Sequence, residues 1–417
     1  VHFEGATAGK STTSGFKRFQ DINRTKFAEK WQGTLSEQHS PPDESNAIRF
    51  SNRKAGPNIL VFCDVLPRPL QAAGYVRLFA ILRCLTQIGR VAFVHLNFED
   101  DASIKRPLTD LGIELVWMPE FRGRFKNGRC DIAILCYPLV ANIVYGKVKR
   151  YFPNAKTIFD TVDLHYVRYR REFELSGDPY LKFLSDQFET IERKIASNVD
   201  EVWCITGEEK DEVFRIAPNA KVSLIPIIQE LHGAGAAFSE RKDLLFIGSF
   251  VHRPNLDSIE YFLKEIFPLI LQKDPNIRLN IVGSNMPPSL TELAHKNVTV
   301  HGFVEDPTEL FEHSRVFISP LRFGAGMKGK IAHAMSYGLP VVTTSIGAEG
   351  FGMVNGVDGM ITDDPVSFGA AVLHLHSTES IWGKLSKNGQ TLVRNNFSTN
   401  VVADRINRSI KELIADR

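Results

Sequence analysis

The chain has 417 residues, of which 43% are hydrophobic and 24% are charged. This balance is typical of soluble globular proteins, and it excludes disorder, collagen and a coiled coil as the main architecture. Lysine and arginine number 50 against 48 aspartates and glutamates, a net charge of +2. No overall field attracts nucleic acid or an anionic membrane, so any basic site must be local. The length predicts two or three domains.

Five scattered cysteines form no C-x-x-C pair, so neither a disulfide framework nor a zinc knuckle is expected. Unpaired cysteines favour a reducing, cytoplasmic setting. Residues 130–146 are the most apolar run, but Asp131, Pro138 and Asn142 interrupt it, and it is too short to span a bilayer. The chain starts at Val1 with polar residues, and we expect a fragment of a longer protein.

The first 57 residues differ in composition from the rest. Residues 1–40 are polar, with aromatic and aliphatic residues at near-helical spacing that predict an amphipathic helix: Phe16, Phe19, Ile22, Phe27 and Trp31. Residues 41–57 begin with two prolines and contain few apolar residues, a composition typical of a linker.

From residue 58 to residue 235 the sequence alternates between strands and helices. Short apolar runs predict buried strands at residues 59–65, 91–96, 114–118, 131–136, 156–161 and 201–206. Helical patterns predict helices at residues 75–88 and 180–197. This alternation predicts a Rossmann-like domain built on a parallel sheet.

After a small-residue linker at 231–239 the alternation restarts and continues over residues 240–399. Strands are predicted at residues 243–249, 278–284, 298–304, 315–321 and 339–345. Helices are predicted at residues 257–272, 306–314, 330–337 and 365–376, with a last helix in residues 400–417. We therefore predict an α/β protein with two Rossmann-like domains, whose ligand lies beyond the carboxyl ends of the strands in the cleft between them.

The most informative stretch, residues 320–350, contains glycines and cations at a predicted helix start. Gly324, Gly326 and Gly329 form a literal G-x-G-x-x-G, but the loop comes late in its domain, which argues against a dinucleotide fingerprint. The same residues spell G-x-x-x-x-G-K, but Ile331 stands where a P-loop needs Ser or Thr. Glycines, Lys328, Lys330 and a helix N-terminus together predict a cradle for a diphosphate.

This set of motifs resembles the donor half of GT-B glycosyltransferases, in particular the family 4 group of retaining enzymes. The resemblance rests on I-G-S (residues 247–249), H-R-P-N (252–255), I-V-G-S (281–284), H-G-F-V-E-D (301–306), the glycine-rich loop and A-M-S-Y-G-L-P-V-V-T-T (334–344). It implies a GT-B fold and transfer of a sugar from a nucleotide diphosphate sugar. Many members carry two glutamates eight residues apart in the loop, where this chain has Ala325 and His333. The resemblance therefore leaves sugar contacts to backbone amides between Gly324 and Met327.

The resemblance also implies roles for residues in both domains. We expect His165, Lys330, Lys328 and Arg253 to be catalytic, with Lys330 first among the cations on the leaving phosphate. His165 lies in residues 160–172, which follow the predicted strand at 156–161, and Asp163 could orient it there. The substrate-binding expectations are Gly74, Asp163, Arg168, Gly248, Ser249, Gly283, Phe303, Val304, Arg322, Gly324, Ala325, Gly326, Met327, His333, Glu349 and Gly350.

The expected partners are a nucleotide sugar and a glycan or lipid-linked glycan acceptor of the O-antigen or capsule type, with no nucleic acid. We expect no cofactor and no metal, and a cytoplasmic location that extends to the inner face of the membrane. Two alternatives remain open: a non-catalytic nucleotide-sugar-binding module, credible because both loop glutamates are missing, and a nucleotide-sugar epimerase.

The N-terminal segment resembles the end of family 2 glycosyltransferases of the GT-A fold, in which a H-x-E follows the catalytic core. The match begins at His2, in H-F-E, and His2 would be the metal ligand of that domain. Its carboxylate partners would precede Val1. The resemblance therefore implies a preceding GT-A domain in the parent chain.

Overall fold

The computed structural model describes residues 18–33, 56–68, 73–125, 128–292 and 296–415. The chain forms two compact units, residues 1–57 and residues 58–417. In the first unit, helix α1 spans Arg18–Lys30, within the stretch where an amphipathic helix is predicted. His2 and most of the predicted linker lie outside the described residues.

The second unit begins with a sheet of seven parallel strands in the order β3-β2-β1-β4-β5-β6-β7. Its strands are β1 (Asn58–Cys63), β2 (Arg90–His95), β3 (Glu114–Trp117), β4 (Ile132–Cys136), β5 (Lys156–Asp160), β6 (Glu201–Cys204) and β7 (Val222–Leu224). Its helices are α2 (Ala73–Ile88), α3 (Ala102–Asp110), α4 (Phe121–Phe125), α5 (Pro138–Tyr151), α6 (His165–Ser176), α7 (Pro179–Ala196) and α8 (Gly207–Ile216). Helices cover both faces, which is why the central strands are apolar along their whole length.

The second sheet has six parallel strands in the order β10-β9-β8-β11-β12-β13. Its strands are β8 (Lys242–Ile247), β9 (Leu279–Val282), β10 (Val298–Gly302), β11 (Ser314–Ser319), β12 (Val341–Thr343) and β13 (Met360–Ile361). Its helices are α9 (Arg253–Tyr261), which continues through a π-helical turn (Phe262–Ile266) into α10 (Phe267–Lys273), then α11 (Pro288–Thr291), α12 (Thr308–His313), α13 (Gly329–Ser336), α14 (Ser345–Ala348), α15 (Pro365–Ser377), α16 (Glu379–Asn396) and α17 (Thr399–Ala415).

The two parallel sheets confirm the predicted α/β class with two Rossmann-like domains. The sequence does not predict the short edge strands β7 and β13, of three and two residues, or several of the helices, among them α3, α5, α8 and α16. Helix α6 begins at His165, so residues expected in a loop lie in its first turns. Strands this short carry too few apolar residues to show a period.

The last helix, α17, packs against the first sheet although it follows the second in sequence. Val402, Ile406 and Ile410 are buried in the core of the first domain, which also holds Trp203. The Trp203 indole donates to the Ser409 hydroxyl at 2.9 Å. The chain therefore crosses between the domains at residues 225–241 and again before α17.

Arg241 anchors the first of these crossings. Its buried guanidinium donates to five backbone carbonyls, including those of Ala234 and Tyr337. Burial lowers the pKa of Arg241 to about 10, which still leaves it charged at neutral pH. Gly235 has a left-handed backbone, with φ of 63°, and a Cβ there would lie 2.4 Å from the guanidinium. The crossing segment is thus fixed to the second domain.

Among the described residues, no helix combines the length and the apolar character needed to cross a membrane.

Candidate functional site

The glycine loop, residues 320–328, connects β11 to α13 at the carboxyl end of the second sheet. Gly324 and Gly326 have φ of 140° and 66°, which side chains other than glycine rarely adopt. A Cβ on Gly326 would lie 3.3 Å from the Val162 carbonyl and 3.2 Å from the Asp163 side chain. The loop therefore lies directly against the β5–α6 turn of the first domain.

The ends of β8 and β9 form the floor beside this loop. A Cβ on Gly283 would lie 1.8 Å from the Gly248 carbonyl, and one on Gly248 would lie 2.8 Å from Asn255. The Asn255 side-chain amide donates to the Ser249 carbonyl at 2.8 Å. Glycine is therefore required at both strand ends, and Asn255 is fixed with its amide oxygen free to accept elsewhere.

Lys330 uses that amide oxygen. Its Nζ donates to Asn255 Oδ1 at 2.8 Å and lies 4.3 Å from the centre of the Phe246 ring. Burial, reinforced by the charge of Lys328, lowers the pKa of Lys330 to about 7. Among the described residues Lys330 forms no ion pair with a carboxylate. It is a partly desolvated cation that an incoming anion would stabilise.

Lys328, two residues earlier, has a different environment. Its Nζ donates to the Gly326 carbonyl at 2.6 Å and to Glu349 Oε2 at 3.2 Å. Arg171 of α6 binds the same carboxylate through two hydrogen bonds of 2.8 Å and donates to the Gly324 carbonyl at 2.7 Å. Burial alone would raise the pKa of Glu349, but Arg171 and Lys328 lower it overall. This group joins the glycine loop to the first domain.

The turn that faces the loop carries Asp163. Arg168 donates to Asp163 Oδ2 at 2.6 Å, and His165 Nε2 lies 3.4 Å from Oδ1. Burial opposes ionisation of Asp163, but Arg168 and His165 lower its pKa overall. Val162 has φ of 61°, a strained conformation for a β-branched residue. The structure therefore brings Asp163, His165 and Arg168 together at this turn.

Two buried glutamates hold this turn from beneath. Glu192 accepts hydrogen bonds from the backbone N–H groups of His165 and Tyr166 at 2.9 and 3.1 Å. Glu209 accepts from Leu164 N at 3.1 Å and from Ile205 N at 3.2 Å. Burial raises the pKa of Glu192 to about 8 and that of Glu209 to about 7. Neither glutamate was predicted from the sequence, because a glutamate within a helical pattern is usually solvent-exposed.

His252 is a further residue that the sequence analysis did not select. It precedes α9 and faces the first domain closely enough for Asp163 and Arg168 to affect its charge. Burial and the charge of Arg168 lower the pKa of His252, whereas Asp163 raises it. The signal for His252 in the sequence was its position in the H-R-P-N motif at residues 252–255.

Three residues predicted to be catalytic or to bind substrate are instead held by contacts with other side chains. Arg322 pairs with Asp257 of α9 and lies over the Tyr261 ring. Arg253 is 68% exposed and pairs with Glu172 of α6 at 2.9 Å. His333 packs against the Phe311 ring, with centroids 4.6 Å apart.

The His333 Nδ1 atom lies 3.2 Å from the Gln229 amide nitrogen. Burial and the neighbouring His232 lower the pKa of His333 to about 4, so it is neutral at pH 7.

The remaining predicted residues belong to both domains, and Met327 is buried in the core of the second. Phe303 is 56% exposed at the end of β10, with Val304 beside it. A Cβ on Gly350 would lie 2.3 Å from Thr206 of the first domain, and one on Gly74 would lie 2.9 Å from the Tyr137 hydroxyl. Both glycines thus permit a close approach of backbone to neighbouring side chains.

A cavity of about 360 Å³ lies between α6, α8 and the glycine loop. Its volume is within the range of small-molecule sites. It is lined by Val167, Arg171, Glu208, Glu209, Asp211, Glu212, Arg215, Ala325, Gly326 and Glu349. Within the described ranges, no three His, Cys, Asp or Glu side chains are arranged to hold a metal ion.

Comparison with known sequences gives one family and one curated relative. Residues 241–378 match the family model described as "Glycosyl transferases group 1". An uncharacterized 44.6 kDa protein in the cps region of Klebsiella pneumoniae is 26% identical over 174 residues, 39% of this chain. That match spans 45% of the Klebsiella protein, slightly less than half of its length.

Solved structures resemble nearly the whole chain. Sucrose-phosphate synthase from Thermosynechococcus elongatus gives a TM-score of 0.66 at 16% identity, covering 87% of this chain and 100% of that one. HepE from Anabaena, solved with UDP and glucose, gives 0.65 at 14% identity, covering 85% and 100%. The pneumococcal O-GlcNAc transferase GtfA, with UDP and GlcNAc, gives 0.62 at 10%, covering 86% and 99%. The chain therefore has the GT-B fold, and its residues 241–378 carry the sequence signature of group 1 glycosyl transferases.

Proposed function

We propose that the protein is a glycosyltransferase that moves a sugar from a nucleotide diphosphate sugar to a growing bacterial surface glycan. The observation that carries the proposal is Lys330, a partly buried lysine with a neutral partner, Asn255, at the first turn of α13. Lys330 lies within the segment that matches the group 1 family. The family match and the GT-B fold support the reaction class, and the cps-region relative supports a capsule glycan as product.

The proposed chemistry follows from the charge that develops as the glycosidic bond breaks. The nucleoside diphosphate leaves with increased negative charge, while the anomeric carbon becomes oxocarbenium-like. Lys330 and the N–H groups of the first turn of α13 would stabilise the departing phosphate, at about 3–4 kcal/mol for one well-placed donor. We propose that Lys330 and these N–H groups serve in place of a metal ion. Adding a chelator would then leave the activity unchanged.

The other proposed contacts follow the cleft outward from the phosphates. Exposed Phe303 and the backbone of Val304 would hold the base. Loop amides from Gly324 to Met327 would contact the sugar, with His165 beside the reacting carbon. By the family resemblance the anomeric configuration is retained. HepE and GtfA were solved with UDP, which supports a UDP-sugar as the first donor to test.

A thermal-shift screen with UDP, GDP, dTDP and CMP tests the nucleotide site, because a ligand specific for the folded state raises its melting temperature. The corresponding nucleotide sugar is then incubated with and without glycan acceptors and followed by NMR. Acceptor-dependent release of nucleoside diphosphate supports a transferase, and conversion of donor alone indicates an epimerase. Lys264→Ala, at a lysine 82% exposed, is the control for Lys330→Ala.

A second candidate is a module that binds the nucleotide sugar without transferring it. It is favoured by Ala325 and the neutral, packed His333, which replace the two glutamates common in the resembled group. This candidate predicts a thermal shift with nucleotide but no turnover with any acceptor.

Within the transferase proposal, substitution of His165 tests whether this residue takes part in the reaction. Its ring packs against Phe188, with centroids 4.9 Å apart, and its Nδ1 is buried without a partner among the described residues. His165→Ala should lower kcat by at least about tenfold while the Kd for the nucleoside diphosphate stays unchanged. Full activity in a folded variant would remove His165 from the site.

A further inference from the structure

Glu349 is bound on two sides by cations from different domains. Its Oε1 accepts from Arg171 Nη2 at 2.8 Å, and its Oε2 accepts from Arg171 Nη1 at 2.8 Å and from Lys328 Nζ at 3.2 Å. The Glu349 and Lys328 side chains are each 8% exposed, and that of Arg171 is 23% exposed. These ions are largely removed from water, so their pairing is weakly screened.

This arrangement is also the one by which proteins bind a phosphate group. Arginine recognises carboxylate and phosphate through the same two parallel hydrogen bonds, and lysine adds a point charge. Arg171 also donates to the Gly324 carbonyl, and Lys328 to the Gly326 carbonyl, so both cations are fixed on the glycine loop. The Glu349 carboxylate therefore occupies a site suited to a phosphate.

We propose that Glu349 is an internal competitor of the donor's diphosphate, and that Arg171 is a further diphosphate-binding residue released when Glu349 is displaced. The inference rests on the proposed function, because it names the anion that replaces Glu349. A diphosphate beside Lys328 would lie next to the like charge of Glu349. The two anions therefore compete for Arg171 and Lys328.

Displacement of Glu349 has a consequence for the contact between the domains. In the unliganded protein Gly326 packs on the β5–α6 turn, and Arg171 joins α6 to both Glu349 and the loop. Once Arg171 binds a ligand phosphate instead, the ligand itself becomes the link between α6 and the loop. Nucleotide binding is thereby coupled to how the first domain meets the glycine loop.

Calorimetric titration with UDP and with inorganic pyrophosphate tests the proposal. The direction in which each substitution changes the Kd decides the outcome. Glu349→Gln removes the competing charge and should lower the Kd of both ligands by about tenfold. Glu189→Gln is the matched control, since Glu189 does not line the cavity and also pairs with two arginines, Arg193 and, at 3.4 Å, Arg215. It changes the net charge equally and should leave the Kd unchanged.

Arg171→Ala should raise the Kd by about tenfold, whereas Arg170→Ala on the same helix should not change it. If Glu349→Gln is unfolded, Glu349→Ala is measured in its place. An unchanged or higher Kd in the folded Glu349 variant overturns the competitor role, and an unchanged or lower Kd in Arg171→Ala overturns the binding role.

Failure of the proposed function is a separate result. If the unsubstituted protein binds none of the nucleoside diphosphates, the nucleotide-sugar assignment itself fails. If it binds one of them but Glu349→Gln binds no more tightly, only the internal-competitor proposal fails.

Discussion

The surroundings of Lys328 and Lys330 differ sharply, although only one residue separates Lys328 at the end of the glycine loop from Lys330 in the first turn of α13. Lys328 is paired with the Glu349 carboxylate, which Arg171 also binds. Lys330 is paired with the neutral amide of Asn255 and the face of Phe246. Burial lowers the pKa of both lysines, but only Lys328 has a carboxylate that opposes this effect.

The difference shows that the partner of a cation, rather than its place in a motif, decides what it can contribute. A lysine already paired with a carboxylate gains little from a ligand until that carboxylate leaves. A partly buried lysine with a neutral partner has lost part of its hydration without gaining a counter-ion, so an anionic ligand stabilises it directly. Lys330 should therefore dominate binding and catalysis.

Lys330→Ala should give the largest effect, a fall in kcat of about 100-fold or more, because it removes the cation proposed to stabilise the leaving phosphate. Steady-state release of nucleoside diphosphate measures it, with the melting temperature as the folding control. A rate near that of the unsubstituted protein would remove Lys330 from the mechanism.

Lys328→Ala should have a smaller effect, a rise of about tenfold in the Kd for nucleoside diphosphate. The loss is smaller because the charge of Lys328 is already partly neutralised by Glu349. Calorimetry on both lysine variants compares them directly. If Lys328→Ala proved the more damaging of the two, the ranking derived from their partners would be wrong.

The pH dependence of diphosphate binding tests the same difference between Lys328 and Lys330. The pKa of Lys330 is lowered to about 7 in the unliganded protein, and a bound diphosphate, which favours the charged lysine, raises it. Binding therefore takes up a proton, and affinity falls as the pH rises above 7. Between pH 7 and pH 8 the Kd should increase about fivefold. Titrations in buffers of different ionisation enthalpy measure this uptake, and a flat profile would contradict it.

Asn255→Asp should make the surroundings of Lys330 resemble those of Lys328. The new carboxylate raises the pKa of Lys330 and competes with the ligand for it. We expect a rise of about threefold in the Kd at pH 7, together with loss of the pH dependence. Asn276→Asp, at an exposed asparagine in the same domain, is the control for the added charge. Tighter binding in Asn255→Asp would refute the comparison.

Much of the fold was predictable because apolar runs and helical patterns are local. Strands such as β1 and β4 are buried on both faces, so every residue in them except Asn58 is apolar and the pattern is clear. Strands β7 and β13 at the sheet edges are too short for such a pattern. Helix α5 was missed because its apolar first turns continue the run that begins in β4.

Part of the candidate site was also predictable because it is formed by residues that are close together in sequence. Glycines, lysines and a helix start lie together in sequence at residues 324–330, so their combination is visible without a structure. Asn255, His252 and Arg171 reach the same place from other elements. Glu192 and Glu209 support the site from helices in which a glutamate is ordinarily solvent-exposed.

By itself the sequence determined the two parallel sheets, the glycine loop and the cations on it, because these depend on residues adjacent along the chain. Only the tertiary structure decided which cation has a counter-ion, since Glu349 and Arg171 lie 178 residues apart in sequence. Burial and ion pairing depend on which elements meet in space, and those contacts set the charge that each lysine can offer to a ligand.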